Sequence, residues 1–125
     1  MIRTSSESAE SFAVQDVTFH SHVRSQLGSR QLAAWKADFD PETPGRPHRM
    51  STEEVFHVLA GEITAEVDGD TALLRAGETI AVPAGSLFCA SNLSNQPASA
   101  WVVTPTGMTV TMEDDSSSFR PPWAQ

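Results

Sequence analysis

Two stretches of sequence decide the fold, and both combine regularly placed glycines with short apolar runs. They are GRPHRMSTEEVFHVLAG at residues 45–61 and GETIAVPAGSLFCASN at residues 77–92. In the first, an apolar run follows a loop rich in Pro and Gly and ends at Gly61. In the second, a turn from Pro83 to Gly85 separates two such runs. Short runs bounded by turn residues are typical of β-strands, so both stretches predict consecutive strands joined by tight turns.

The same pattern continues on both sides of these stretches. The predicted strands are 31–39, 54–59, 63–67, 71–74, 79–82, 87–90 and 100–103. The segment 19–27 is ambiguous, because its periodicity fits a strand or a helix. Strands this short and this frequent indicate an all-β sandwich or barrel.

The length and composition indicate one domain. A chain of 125 residues with 39% apolar residues can fill one core without disulfides. Residues 1–11 are polar and are predicted to be a flexible segment, followed by a β-barrel over residues 12–112. Residues 113–125 form an acidic tail whose Phe119 and Trp123 are predicted to pack on the barrel or on a partner subunit.

Charge and apolar patterning exclude several classes of partner. Acidic residues outnumber basic ones by 16 to 8, and the basic residues are scattered, so a nucleic-acid partner is not expected. No apolar run approaches the roughly 20 residues of a membrane span, and no signal-peptide core is present. We therefore expect a cytoplasmic protein without a membrane partner.

The two-residue period of strands predicts which side chains share the interior. Glu54 and Phe56 lie on one face of their strand, as Phe88 and Asn92 do on theirs. By the same rule Cys89 faces away from that interior, which favours a small packing residue over a reactive thiol.

The spacing resembles the two sequence motifs of the cupin superfamily. In the first motif, His48, Glu54 and Gly61 fall in place, and Met50 takes the position of the second histidine. In the second motif, the residues that fit are Gly77, Pro83, Gly85 and Asn92. Phe88 takes the position of the third histidine. The resemblance implies an RmlC-like jelly-roll barrel of the cupin 2 type, and single-domain members suggest a homodimer.

The resemblance also implies a metal site, but a depleted one. Cupin sites typically bind Fe, Mn, Ni, Cu or Zn through three histidines and a glutamate. Here only His48 and Glu54 remain, because a thioether suits these divalent ions poorly and a phenyl ring cannot ligate. We expect no metal, or a weakly bound divalent transition metal on His48 and Glu54.

The favoured function is therefore binding of a small organic molecule in an apolar barrel pocket. His48 and Glu54 would be its polar groups, as a hydrogen-bonded pair or as an acid and a base. The predicted pocket walls are Met50, Phe56, Phe88, Asn92, Trp35 and Trp101.

Two enzymatic alternatives remain open. One is a metal-dependent oxygenase or isomerase, and the other is a metal-free acid/base cyclase or epimerase of secondary metabolism. The sequence leaves open whether the protein is an enzyme. His20 and His22 share one strand face, but without a third ligand nearby they indicate a solvated or interface strand.

Overall fold

Two antiparallel sheets of six strands each face one another and enclose the apolar side chains. The computed structural model describes residues 1–125. The strands are β1 (Glu10–Val14), β2 (Val17–Val23), β3 (Leu32–Phe39), β4 (His48–Met50), β5 (Glu54–Ala60), β6 (Glu62–Val67), β7 (Asp70–Arg75), β8 (Thr79–Val82), β9 (Leu87–Ser91), β10 (Ala98–Pro105), β11 (Val110–Met112) and β12 (Ser118–Phe119). Two short 3-10 turns, Ser25–Leu27 and Pro122–Ala124, complete the secondary structure.

The chain crosses repeatedly between the two sheets. The first sheet has the order β1-β2-β3-β10-β5-β8, and the second has the order β12-β11-β4-β9-β6-β7. Strands that follow each other in sequence therefore often lie in opposite layers, as in a jelly roll. The predicted all-β, single-domain jelly-roll fold is confirmed. No helix has the length and apolar character that a membrane span requires.

Strand alternation places the core between the layers. On β3, Ala33, Trp35 and Ala37 are buried on the inner face, while Lys36 and Asp38 on the outer face form an ion pair of 3.2 Å. The other central strands of the first sheet follow the same rule. Burial of one apolar face from each sheet is the main stabilising contribution in a sandwich of this kind.

The structure resolves the ambiguous segment 19–27. Residues 19–23 belong to β2, and Ser25–Leu27 form a 3-10 turn. The residues around His48 form the short strand β4, because their backbone pairs with both β9 and β11.

The turn between β5 and β6 depends on a glycine. Gly61 has a φ of +73°, a conformation that L side chains adopt only with strain, and a Cβ there would lie 2.5 Å from the carbonyl oxygen of Pro97. The close approach of the chain at Pro97 therefore accounts for the glycine that ends the first stretch.

The ends of the chain also belong to the sandwich. Strand β1 begins at Glu10, two residues before the predicted start of the barrel at Phe12. Before it, the hydroxyl of Thr4 lies 2.9 Å from His22 Nδ1. At the other end, the turn Pro122–Ala124 packs against β1, β2 and β3.

Candidate functional site

A cavity of about 190 Å³ lies between the two sheets. Most of its walls are apolar, and they include aromatic rings from both layers. Its mouth is formed by the exposed turn between β1 and β2 at Gln15 and Asp16 and by the loop at residues 43–46. A concave, mostly apolar space with a few polar groups is the usual form of a small-molecule site.

Glu54 is the most unusual group in this cavity. It begins β5, whose inner face also carries Phe56 and Val58, and it is only 6% exposed. The carboxyl has no charged partner and accepts no hydrogen bond from the protein, so burial alone raises its pKa to about 8. At neutral pH Glu54 is therefore predominantly an uncharged carboxylic acid, which can donate a hydrogen bond into the cavity.

His48 faces the same cavity from the opposite sheet. Its Nδ1 lies 2.8 Å from the carbonyl oxygen of Arg46, and because a carbonyl can only accept, Nδ1 carries the proton. Burial lowers the pKa of His48, and the charge of Arg46 adds to this effect, whereas the hydrogen bond to the Arg46 carbonyl partly opposes it. The neutral ring therefore keeps an unprotonated Nε2 as a free acceptor.

His48 and Glu54 are not bonded to each other. The hydrogen-bond partner of His48 is the Arg46 backbone, and Glu54 has no protein partner. The prediction of a hydrogen-bonded pair is wrong, because the Nδ1 proton of His48 is donated to the carbonyl oxygen of Arg46 and no hydrogen bond joins His48 to Glu54. The two groups instead approach the cavity separately, one as a neutral acid and the other as a neutral base.

The predicted apolar wall surrounds these two groups. Met50 is 1% exposed, on the same strand as His48. The Phe88 ring packs edge to face against His48 and against Phe56, with 5.7 Å between ring centroids in both pairs. Trp35 also lines the cavity and is buried, and its Nε1 has no hydrogen-bond partner. The edge-to-face contact with Phe88 holds the His48 imidazole in its orientation.

Asn92 lies outside the cavity wall, which corrects its prediction as a ligand contact. Its side-chain nitrogen donates to the carbonyl oxygens of Asp40 and Gln96, at 3.1 and 2.7 Å. Its side-chain oxygen accepts hydrogen bonds from the backbone and hydroxyl of Ser94. Asn92 therefore braces the loops beside β9, and no donor or acceptor of its amide is left for a ligand.

Trp101 also lies outside the cavity. It alternates with Val102, whose side chain lines the cavity, so the Trp101 side chain projects from the outer face of β10. There its ring lies 5.2 Å from the ring of His22. The prediction of Trp101 as a pocket residue is wrong, because an apolar composition does not reveal on which side of a two-faced strand a residue lies.

The residues at the cupin metal positions do not fit a divalent transition metal. Met50 and Phe88 line the same cavity as His48 and Glu54 but offer a thioether and a phenyl ring, and no three His, Cys, Asp or Glu side chains lie close enough together to hold an ion. His20 and His22 do not form a metal site either. His20 contacts Ser11 and Asp38, and His22 contacts Thr4.

Cys89 is half-buried and does not line this cavity. It lies by a smaller surface depression formed with Pro47, Glu66 and Leu87. This position agrees with the opposite strand phase of Cys89 and Phe88.

The sequence analysis missed several residues that line the cavity. Phe19, Met108, Phe119 and Trp123 line it as well, although the sequence analysis named only Phe119 and Trp123, as packing residues of the tail. For Met108 the sequence carries no signal, since a methionine after a Gly-containing loop fits any buried position. Long-range packing places these residues together.

The comparisons with known proteins agree with this geometry. A sequence profile of the Cupin domain family matches residues 35–104, more than half of the chain. The chain belongs to the cupin family. The prediction made from the two glycine-containing stretches is therefore confirmed. No curated protein matches the sequence of this cupin significantly.

Three solved structures illustrate the fold that this cupin shares. The polyketide cyclase RemF from Streptomyces resistomycificus is 20% identical with a TM-score of 0.76, over 84% of this chain and 79% of RemF. An RmlC-like cupin from Shewanella frigidimarina is 21% identical with a TM-score of 0.71, over 82% and 87%. A sugar phosphate isomerase of the cupin superfamily from Silicibacter pomeroyi is 16% identical with a TM-score of 0.76, over 93% and 84%. At these identities the likeness shows the fold alone.

The raised pKa of Glu54 predicts how stability depends on pH. Between its unfolded value of about 4.5 and the folded value of about 8, the folded state binds more protons at this group than the unfolded state does. The free energy of unfolding therefore falls as pH rises through this window, by up to about 1.4 kcal/mol per pH unit. In Glu54→Gln this contribution is absent.

We expect the difference in unfolding free energy, Glu54→Gln minus the unchanged protein, to grow steadily from pH 5 to pH 8. Urea denaturation of both proteins at matched pH values measures it, and the subtraction removes the contributions of all other titrating groups. A difference that is independent of pH would contradict the assignment of Glu54 as a buried neutral acid.

Proposed function

We propose that this cupin binds a small uncharged organic molecule that carries a carbonyl or similar acceptor oxygen. The observation that carries the proposal is the Glu54 carboxyl, which is buried and has no hydrogen-bond partner in the protein. A neutral carboxylic acid that faces an apolar cavity without a protein partner is a hydrogen-bond donor available to the acceptor oxygen of a ligand. The apolar walls would bury the rest of the ligand.

A ligand of this class also explains the depleted metal positions. With Met50 and Phe88 in place of two histidines, the centre of the cavity offers apolar contact where a metal cage would offer nitrogen ligands. The neighbouring cupins include a polyketide cyclase and a sugar phosphate isomerase, whose chemistry concerns small organic molecules. These neighbours support a small organic ligand in general, and neither its charge nor its identity follows from them.

The first test uses acetophenone, an uncharged one-ring ketone, as the probe. We expect its affinity to fall above about pH 8, because an ionised Glu54 cannot donate a hydrogen bond to the carbonyl oxygen. Equilibrium dialysis at pH 6 and pH 9 measures this change.

Two variants of the same residue sharpen the test. Glu54→Gln keeps an N–H donor, so it should bind the probe with no pH dependence. Glu54→Leu removes the donor and should weaken binding by roughly tenfold at pH 6, the equivalent of one hydrogen bond. Equal affinity in the unchanged protein and in Glu54→Leu would contradict the proposal.

A second candidate function is proton-transfer catalysis on the bound molecule. It is favoured by the opposite protonation states of the two groups that face the cavity, a free basic Nε2 on His48 and a neutral acid on Glu54. The base would take a proton from the carbon next to the carbonyl, while Glu54 gives its proton to the carbonyl oxygen. The product is the enol, and the reverse transfers restore the ketone. Isomerisation, dehydration and cyclisation of carbonyl compounds all use this step.

Deuterium exchange tests this candidate without knowledge of the natural substrate. In D₂O, the protein should accelerate the exchange of the methyl protons of acetophenone, followed by proton NMR. His48→Phe should abolish the acceleration while leaving probe affinity within about twofold, because the ring still packs against Phe88. If His48→Phe accelerates the deuterium exchange as much as the unchanged protein does, His48 is not the base, and binding remains the proposed function.

The metal content distinguishes these proposals from a metal-dependent oxygenase or isomerase. We propose that a divalent metal is absent or weakly bound, because only His48 and Glu54 at the cupin metal positions could ligate it and no third His, Cys, Asp or Glu side chain lies close enough to complete a site. Elemental analysis of protein purified without an affinity tag or chelator should show well under one equivalent of Fe, Mn, Ni, Cu or Zn. A near-stoichiometric metal that disappears in His48→Ala would instead support the metal-dependent enzyme.

The cytoplasmic location and the homodimer remain predictions from the sequence.

A further inference from the structure

The C-terminal segment fills the gap between the edges of the two sheets. Strand β12 is the edge of the second sheet, and β1 is the edge of the first. After β12 the chain crosses from one layer to the other, and the turn Pro122–Ala124 packs against β1, β2 and β3. These residues lie outside the part of the chain that matches the Cupin domain, 35–104. We call residues 118–125 the closing segment.

Trp123 is the central contact of the closing segment. Its ring stacks on Phe19 of β2 with 3.9 Å between centroids and 4° between ring planes. The buried hydroxyl of Ser21, also on β2, donates a hydrogen bond of 2.8 Å to the carbonyl oxygen of Trp123. Stacking and a buried hydrogen bond together fix both the side chain and the backbone at this point.

Further contacts hold the segment on both sides of Trp123. The Gln125 side-chain nitrogen donates to the carbonyl oxygen of Met108 at 2.9 Å, and the backbone N–H of Gln26 donates to the carbonyl oxygen of Gln125 at 3.0 Å. Ahead of the segment, Arg46 at the cavity mouth pairs with Asp114 at 2.9 Å. The closing segment is therefore a fixed wall of the sandwich.

This wall belongs to the same cavity as Glu54 and His48. Trp123 and Phe119 both line it. Trp123 is 7% exposed and Phe119 is 42% exposed, so Trp123 lies at the inner part of the wall and Phe119 reaches the surface. Changing the size of the indole would therefore change the space next to Phe19 without touching the acid or the base.

The charges around the cavity select against ionised ligands. The charged residues Asp16 and Arg46 lie at the exposed rim of the cavity, where Arg46 forms an ion pair of 2.9 Å with Asp114. The interior offers no charged group that could compensate a buried ion, and an uncompensated ion loses its hydration at high cost. Only uncharged molecules would enter favourably.

The cavity volume limits the number of rings. A dry cavity of about 150 Å³ holds benzene. The volume here is about 190 Å³, slightly larger. A molecule with one ring or two fused rings fits this space, whereas a third fused ring would meet the wall.

We propose that Trp123 is the specificity-determining residue of this cupin, and that its indole restricts the cavity to uncharged molecules of one or two rings. The proposal rests on the proposed function, because it presupposes that the cavity binds an organic molecule. It assigns a role in ligand selection to a segment that the family profile does not include.

The test compares four probes by equilibrium dialysis with the full chain. Acetophenone and 1-tetralone are uncharged ketones of one and two rings, 9-fluorenone is an uncharged ketone of three rings, and 2-naphthoate is a two-ring anion. We expect the unchanged protein to prefer 1-tetralone over both 9-fluorenone and 2-naphthoate by at least about tenfold.

Trp123→Leu shortens the wall, and we expect the preference for 1-tetralone over 9-fluorenone to disappear or reverse. The discrimination against 2-naphthoate should persist, since the variant adds no charge. Trp101→Leu is the matched control, because it removes the same side chain from the outer face of the first sheet and should leave all four affinities within about twofold. If Trp123→Leu does not fold, Trp123→Phe keeps a ring to stack on Phe19 while shortening the same wall, and it should shift the preference in the same direction.

The outcomes separate the two proposals. Binding of 1-tetralone by the unchanged protein, with the same ring-size preference in Trp123→Leu or Trp123→Phe, would overturn the role of Trp123 and leave the proposed function intact. If the unchanged protein binds neither acetophenone nor 1-tetralone, the proposed function and the role of Trp123 are both overturned. Tighter binding of 2-naphthoate than of 1-tetralone would overturn the preference for uncharged molecules.

Discussion

The strict alternation of side chains along each strand is the constraint on which the rest of this structure depends. Each strand offers only every second residue to the space between the sheets, so the chemistry of the cavity follows from the phase of each strand. On β5 the phase puts Glu54 and Phe56 inside and leaves His57 outside, where it bonds to Thr79. A shift of one residue would turn Glu54 and Phe56 to the outer face and His57 to the interior.

The same constraint makes the Glu54 carboxyl a destabilising group. Inside the sandwich it has neither a hydrogen-bond partner in the protein nor a counter-charge, and burial raises its pKa to about 8 because the charged form loses its hydration. Carboxyls with a raised pKa are concentrated in active and binding sites. The cost to stability and the proposed role in binding are two consequences of one placement.

The closing segment shows how a cavity can be completed from outside the family core. The part of the chain that matches the Cupin domain supplies the acid, the base and about half of the apolar wall, whereas the first two strands, Met108, β11 and the closing segment supply the other half. The closing segment is joined to the rest of the sandwich by the stack of Trp123 on Phe19 and by hydrogen bonds to Ser21, Met108 and Gln26. A substitution in the closing segment would therefore alter which ligands fit the cavity without altering Glu54 or His48.

The sequence by itself determined the fold and the chemical character of the site. Glycine and proline spacing specified the turns, and the two-residue period placed Glu54, Phe56 and Phe88 on inner faces, because both are local properties of the chain. The sequence could not place Trp101 and Trp35 on opposite sides of the first sheet. It also could not show that the side-chain amide of Asn92 donates its hydrogen bonds to the loop carbonyls of Asp40 and Gln96. Those facts depend on which strands pair and in what register. Only the tertiary structure separated His48 from Glu54 on different sheets and brought Trp123 onto Phe19, since contacts between residues about a hundred positions apart are fixed by packing and not by local pattern.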